Sequence, residues 1–142
     1  MVIKNTKQIS DSFRENIEYM DRTLPIGKSF DLIRREIEIG ERRAILYFID
    51  GFVKDEAMLK LLDSFMGVTK EDMPEDAAAF SQTHVPYIEV DVLSDFDHVL
   101  RNVLSGVSCL FIEGYASCIA IDTRTYPARS VEEPDKDKSL RG

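Results

Sequence analysis

Two short segments carry side chains suited to ligand chemistry, and both stand where an apolar run ends. Asp122-Thr123-Arg124 closes one such run and leads into Tyr126-Pro127-Ala128-Arg129. A guanidinium grips a carboxylate through two parallel N–H donors, so one Asp and two Arg near the end of a sheet can hold an anionic group. The plainer reading is a structural ion pair that orients the outgoing chain. Asp50-Gly51-Phe52 closes the run Ala44 to Ile49. Loops at the C-terminal ends of buried strands often carry function in α/β sheets. The plainer reading here is a strand-to-helix turn in which Gly51 supplies backbone angles closed to other residues. Asp50, Asp122, Arg124 and Arg129 are the candidate ligand-binding residues.

No other constellation rises to chemistry. His84 and His98 are far apart and share no motif, so both read as surface or capping residues. Glu71, Asp72, Glu75 and Asp76 form an acidic run without the fixed spacing of a calcium loop, which makes a solvated loop the better reading. Ser105-Gly106 and Ser108 do not form a Gly-x-Ser-x-Gly elbow. Neither a dinucleotide nor a Walker phosphate loop occurs. The expectation is no catalytic residue, no metal and no cofactor.

Composition narrows the partners. The 142 residues carry a net charge of −8. That argues against nucleic acid and against docking on an anionic membrane surface, both of which need clustered Lys and Arg. A hydrophobic fraction of 44% permits a packed core in one domain. The polar N-terminus is not a signal peptide, and no run approaches the roughly 20 apolar residues of a membrane span. Cys109 and Cys118 are too few for a disulfide framework and are expected as buried, reduced thiols.

The positioning elements follow from hydrophobic periodicity. Helical spacing covers about 6–22, through Ile9, Phe13, Ile17 and Met20, and stops before Pro25. Phe30 to Ile39 alternates as a strand with one wet face. Ala44 to Ile49 is apolar throughout, as for a central strand covered on both sides, and the short turn at Gly40-Glu41-Arg42 makes the two an antiparallel hairpin. Lys54 to Met66 reads as a helix with Met58, Leu61, Leu62 and Phe65 inward. Residues 68–85 read as a long mobile connection with at most a helical turn at Ala77 to Phe80. Tyr87 to Val92 is a strand. Ser94 caps a helix that buries Phe96, Val99, Leu100, Val103 and Leu104 and ends at Gly106. Val107 to Ile112 and Cys118 to Asp122 form a second hairpin. If Glu113-Gly114 is its two-residue loop, Cys109 faces Cys118 beside Phe111.

The predicted fold is α/β, a mixed β-sheet of about five strands flanked by about three helices, in the order α-β-β-α-β-α-β-β. Residues 1–129 form the α/β subdomain. Residues 130–142 are charged, contain Pro134 and read as a linker.

Several segments together resemble the A-subunit family of bacterial spore germinant receptors. They are Tyr47 to Asp55, Leu104-Ser105-Gly106 with Leu110 to Gly114, Ile121 to Pro134, and Leu140-Arg141-Gly142. Gly27 to Ile33, with Gly51 to Asp55, resembles most the stage V sporulation protein AF branch. The resemblance implies the first soluble subdomain of a membrane protein, ahead of a second subdomain and a membrane domain. It implies a parent in the spore inner membrane, with this part on the cytoplasmic (core) side and membrane contact only through downstream segments. It also implies partners among the other subunits of an oligomeric germination complex that releases ions. Two roles compete: a non-catalytic module for assembly or signal relay, with contacts at Gly51, Phe52, Tyr126 and Pro134, or a nutrient-sensing domain binding at the four charged residues above.

Overall fold

The structure is a computed structural model and describes residues 7–26, 31–87 and 89–124. Arg129, Tyr126, Pro134 and the expected boundary between 129 and 130 lie outside the described residues, as do Gly27 to Phe30 and Ile88. The described chain builds α1 (Phe13–Thr23), β1 (Leu32–Ile39), β2 (Arg42–Ile49), α2 (Asp55–Met66), a 3-10 turn (Lys70–Asp72), α3 (Ala77–His84), β3 (Val90–Leu93), α4 (Phe96–Leu104), β4 (Ser108–Ile112) and β5 (Cys118–Ile121).

One five-stranded sheet, ordered β1-β2-β4-β5-β3, forms the middle layer. The α/β class and the five strands match expectation, and the sheet differs from it in one respect. All four neighbouring pairs are antiparallel, so the sheet is not mixed. The connection β3-α4-β4 does join two strands of the same direction, because each is antiparallel to β5. β5 lies between them, which removes the parallel contact that a crossover helix normally signals.

Each face of the sheet has its own core. Ile45, Tyr47 and Ile49 pack with Cys109, Phe111 and the inward sides of α1 and α4. Ala44, Leu46 and Phe48 alternate with them and pack with Leu110, Ile112 and the inward sides of α2 and α3. The unbroken apolar run of β2 is thus the signature of a strand buried on both faces. Its hairpin to β1 is tight: Ile39 pairs with Arg42. Gly40 and Glu41 both take positive φ, at 56° and 66°, which suits the right-handed twist of the strands. Arg42 therefore belongs to β2 rather than to the turn.

Helix boundaries obey capping chemistry more closely than periodicity. α1 starts at Phe13, not near residue 6, because the Ser12 hydroxyl accepts from the Glu15 backbone N–H. Ile9 lies before the helix and donates its N–H to the Ser94 carbonyl. α4 is capped by Asp95, whose carboxylate accepts from the His98 N–H, so Ser94 is not the cap. Leu104 is 47% exposed and points away from the core.

Residues 68–85 are folded rather than irregular. The Asp76 carboxylate caps α3 by accepting from the Ala79 N–H at 2.9 Å. Ala77 and Phe80 anchor that helix in the core. The Tyr115 hydroxyl donates to the Pro74 carbonyl at 2.6 Å and ties the segment to the β4–β5 loop. This is the fourth helix, one more than predicted. Its hydrophobic stripe is too short to announce itself in eight residues whose last four, Ser81 to His84, are polar.

The β4–β5 hairpin is also longer than a two-residue loop allows. Cys109 pairs with Ala120, and Leu110 with Ile119. The register is offset by two residues from that expected, so Cys109 and Cys118 are diagonal rather than opposed. Both remain free, fully buried and on one face with Phe111.

Candidate functional site

The C-terminal ends of β2 and β5 share one edge of the sheet with the starts of β1, β3 and β4. Backbone bonds define this edge: Asp50 N–H donates to Asp31, and Asp122 N–H donates to Glu89, at 2.8 and 3.0 Å. Three loops converge here. The β2–α2 loop reaches the end of β5 where the Lys54 N–H donates to the Thr123 carbonyl at 3.4 Å. The buried Thr123 hydroxyl is hydrogen-bonded to the Ser108 hydroxyl, which locks the end of β5 to the start of β4. The sequence offers Thr123 only as the middle of Asp122-Thr123-Arg124 and Ser108 only as part of a failed nucleophile elbow, so nothing in it pairs these two hydroxyls.

Asp122 and Arg124 meet as a forked ion pair. Arg124 Nε donates to Asp122 Oδ1 at 2.8 Å and Nη2 to Oδ2 at 2.9 Å. The third nitrogen, Nη1, donates to the Ser105 carbonyl at 3.1 Å. The hydrogen bond from Arg124 holds the Asp122 carboxyl below its ordinary range, against the opposing effect of burial. Nearby, burial pushes the Tyr87 hydroxyl up to about 12, with the Asp122 charge adding to it. The guanidinium is thus engaged on both of its polar edges. It joins β5 to the α4–β4 turn, as in the structural reading of this motif.

Asp50 is exposed and stands at the end of β2, with β4 between it and β5. It is not part of the ion pair. Gly51 takes φ 96°, and nothing lies within 4 Å of where its Cβ would be. Conformation, not space, requires glycine there. Phe52 is 50% exposed and lays its ring against Gly106 of the α4–β4 turn. The structure therefore unites Asp122 with Arg124 and Phe52 with Gly106, while Asp50 stays separate.

Beside the ion pair is a polar cavity of about 120 Å³, lined among others by Glu89, Asp91, Asn102, Asp122 and Arg124. Its carboxylates outnumber its single guanidinium. Among the described residues, no group of three or more His, Cys, Asp or Glu is placed to hold a metal ion. His84 ends α3, with Nε2 3.3 Å from the Asp72 carbonyl oxygen. His98 Nδ1 is hydrogen-bonded to the capping Asp95 carboxylate, so both histidines serve local structure.

The profile of the Bacillus/Clostridium GerA spore germination protein family matches residues 19–142. The chain belongs to the GerA family. Stage V sporulation protein AF of Bacillus subtilis (strain 168) is 28% identical to this GerA-family chain over 130 residues, covering 90% of the chain and 26% of the relative. Spore germination protein B1 of the same organism is 27% identical over 141 residues, covering 95% and 28%. The chain spans about a quarter of the length of these curated relatives. The crystal structure of the N-terminal domain of the A subunit of the Bacillus megaterium spore germinant receptor GerK3 superposes with a TM-score of 0.67 at 23% identity. That match covers 84% of this chain and 49% of the other, and it shows a shared fold. Among the described residues, no helix of this GerA-family chain is long and apolar enough to cross a membrane.

Proposed function

We propose that this chain is a non-catalytic N-terminal module of a spore-germination membrane protein, acting in the assembly or signal relay of an ion-releasing complex. The observation that carries this reading is the family match, which runs through the sheet-edge loops and continues to residue 142. The likeness to the N-terminal domain of a germinant receptor A subunit supports the same placement. On this reading residues 1–129 are one subdomain, and residues 130–142 lead toward a second subdomain and a membrane domain. The parent would reside in the spore inner membrane with this module on the core side.

The engaged state of Arg124 favours assembly over nutrient sensing. A germinant carboxylate would have to displace Asp122 from the fork, at a cost of two charge-assisted hydrogen bonds, and could use the remaining nitrogen only by breaking a third, to the Ser105 carbonyl. Arg129 remains the second basic group of the sensing alternative. The decisive experiment is the oligomeric state of the full-length parent in detergent or nanodiscs, with and without this module. Loss of oligomers or of germination on deleting the module supports assembly. A strictly monomeric parent, or an unaffected deletion, overturns it. A germinant-dependent rise in melting temperature at millimolar ligand would instead favour sensing.

A further inference from the structure

Two loops grip the same short turn from different sides. The α4–β4 turn passes through Ser105, Gly106 and Val107. The Phe52 ring, from the β2–α2 loop, fills the space where Gly106 has no Cβ. Arg124, just past β5, donates from Nη1 to the Ser105 carbonyl at 3.1 Å. A third contact closes the circuit: the Lys54 N–H of the β2–α2 loop donates to the Thr123 carbonyl, beside Arg124, at 3.4 Å. Each of the three loops is thereby joined to the other two.

The two ends of this circuit are exposed and its middle is fixed. Phe52 and Arg124 both reach the surface. Between them the buried Thr123 and Ser108 hydroxyls pin the end of β5 to the start of β4. The Ser105 and Gly106 N–H groups donate back to α4, to Arg101 and Val103, each at 3.0 Å. What Arg124 holds is the Ser105 carbonyl. Gly106 takes φ 98° and has no side chain to anchor it, so the Phe52 ring supplies the packing at that point. The turn's geometry keeps the carbonyl within reach of Arg124, and a hydrogen bond weakens steeply once its angle leaves a narrow range.

We infer that Ser105-Gly106 is a coupling joint: lifting the Phe52 ring off Gly106 weakens the hold of Arg124 on Ser105, so the position of the β2–α2 loop is passed to the chain leaving β5. This deepens the signal-relay reading above, on which its use in the parent rests, and names the route. The input is an exposed aromatic ring that the apolar surface of a partner can displace. The output is Arg124, whose backbone N–H and side chain both bond to Asp122 and set the direction in which the chain leaves the sheet. A route of this kind needs an element that both ends bias, and here that element is the turn. The coupling is reciprocal, so freeing Arg124 loosens Phe52 by the same factor.

The test is trypsin cleavage of the 142-residue chain, followed by mass spectrometry. Cutting after Arg124 requires its guanidinium to leave Asp122 and Ser105, so the rate reports the released population. Cutting after Arg43, inside β2, reports global unfolding. Phe52→Ala should raise cleavage after Arg124 at least about fivefold relative to cleavage after Arg43. Phe52→Tyr, which keeps the ring, should stay within about twofold of wild type. In urea unfolding, Phe52→Ala and Arg124→Gln should be coupled by at least about threefold in the folding equilibrium constant. A rise after Arg124 no greater than that after Arg43, or strictly additive losses, overturns the joint. The relay reading fails separately: if the coupling is measured in this chain while spores whose parent protein carries Phe52→Ala germinate normally, relay is overturned and the joint stands.

Discussion

Phe52 and Gly106 are joined by the absence of a side chain. A Cβ at Gly106 would lie 2.2 Å from Phe52 Cδ2, so the ring occupies the space a larger residue would need. Gly106 also takes φ 98°, where L side chains are strained. The contact ties the β2–α2 loop to the α4–β4 turn at the candidate site.

Gly106→Ala should therefore destabilise the domain by about 2–4 kcal/mol, combining the backbone strain with overpacking. Phe52→Ala in the same chain should recover part of that loss by removing the clash. A double-mutant cycle by urea unfolding measures the coupling, and strictly additive losses would contradict the contact.

The Asp122–Arg124 pair predicts an acid sensitivity. The Asp122 carboxyl titrates below its unfolded value of about 3.9. Its contribution is present above that value and is lost as pH falls through the lower, folded one. Asp122→Asn should lower stability near pH 7, and the gap from wild type should narrow steadily below about pH 4. A gap independent of pH would mean that packing, not charge, sets the effect.

Tyr47 links β2 to α1. Its hydroxyl donates to Asp21 Oδ1 at 2.8 Å, and Arg34 Nε donates to the same carboxylate. Tyr47→Phe should cost about 1.5–3 kcal/mol, the range for a hydrogen bond to a charged group. Burial, then the bond to Asp21, pushes the Tyr47 hydroxyl far up, and burial pushes Tyr87 up to about 12. Both raise stability below the unfolded value near 10 and lose that effect as pH climbs through the folded one. Absorbance titration of Tyr47→Phe and Tyr87→Phe against wild type should show that the missing tyrosine ionises above the ordinary range; a missing component that titrates at about 10 in both difference spectra would refute this.

Cys109 and Cys118 should resist thiol reagents in the native protein. Burial, then the neighbouring Cys109, pushes the Cys118 thiol well up, so little thiolate exists to react. Diagonal positions on neighbouring strands lie roughly 7–8 Å apart, too far for an unstrained disulfide. Labelling with a chromogenic disulfide should follow global unfolding and then report both thiols. Fast labelling of the folded chain would contradict the buried placement.

Much of this architecture was legible along the chain. The run from Ala44 to Ile49 announced a strand covered on both faces. Gly40-Glu41 announced its hairpin, and the Asp122–Arg124 spacing announced a local ion pair. α3 was not legible, because an eight-residue helix held by Ala77, Phe80 and the Asp76 cap offers too little periodic signal. The start of α1 is not legible because Ile9 continues the helical spacing, while Ser12 caps the N-terminus and sets the start at Phe13.

At the candidate site the division is sharper. The sequence by itself determined the residue types at each strand end, the net charge and the family, because these depend on composition and local order. Only the tertiary structure decided that Arg124 spends its fork on Asp122 and Ser105, that Phe52 rests on Gly106, and that Asp50 stands apart from both. Those relations depend on strand order and register, and β4 inserts between β2 and β5 although it follows β2 by more than fifty residues of chain. Hydrophobic alternation specifies which face a side chain takes, not which strand will lie beside it.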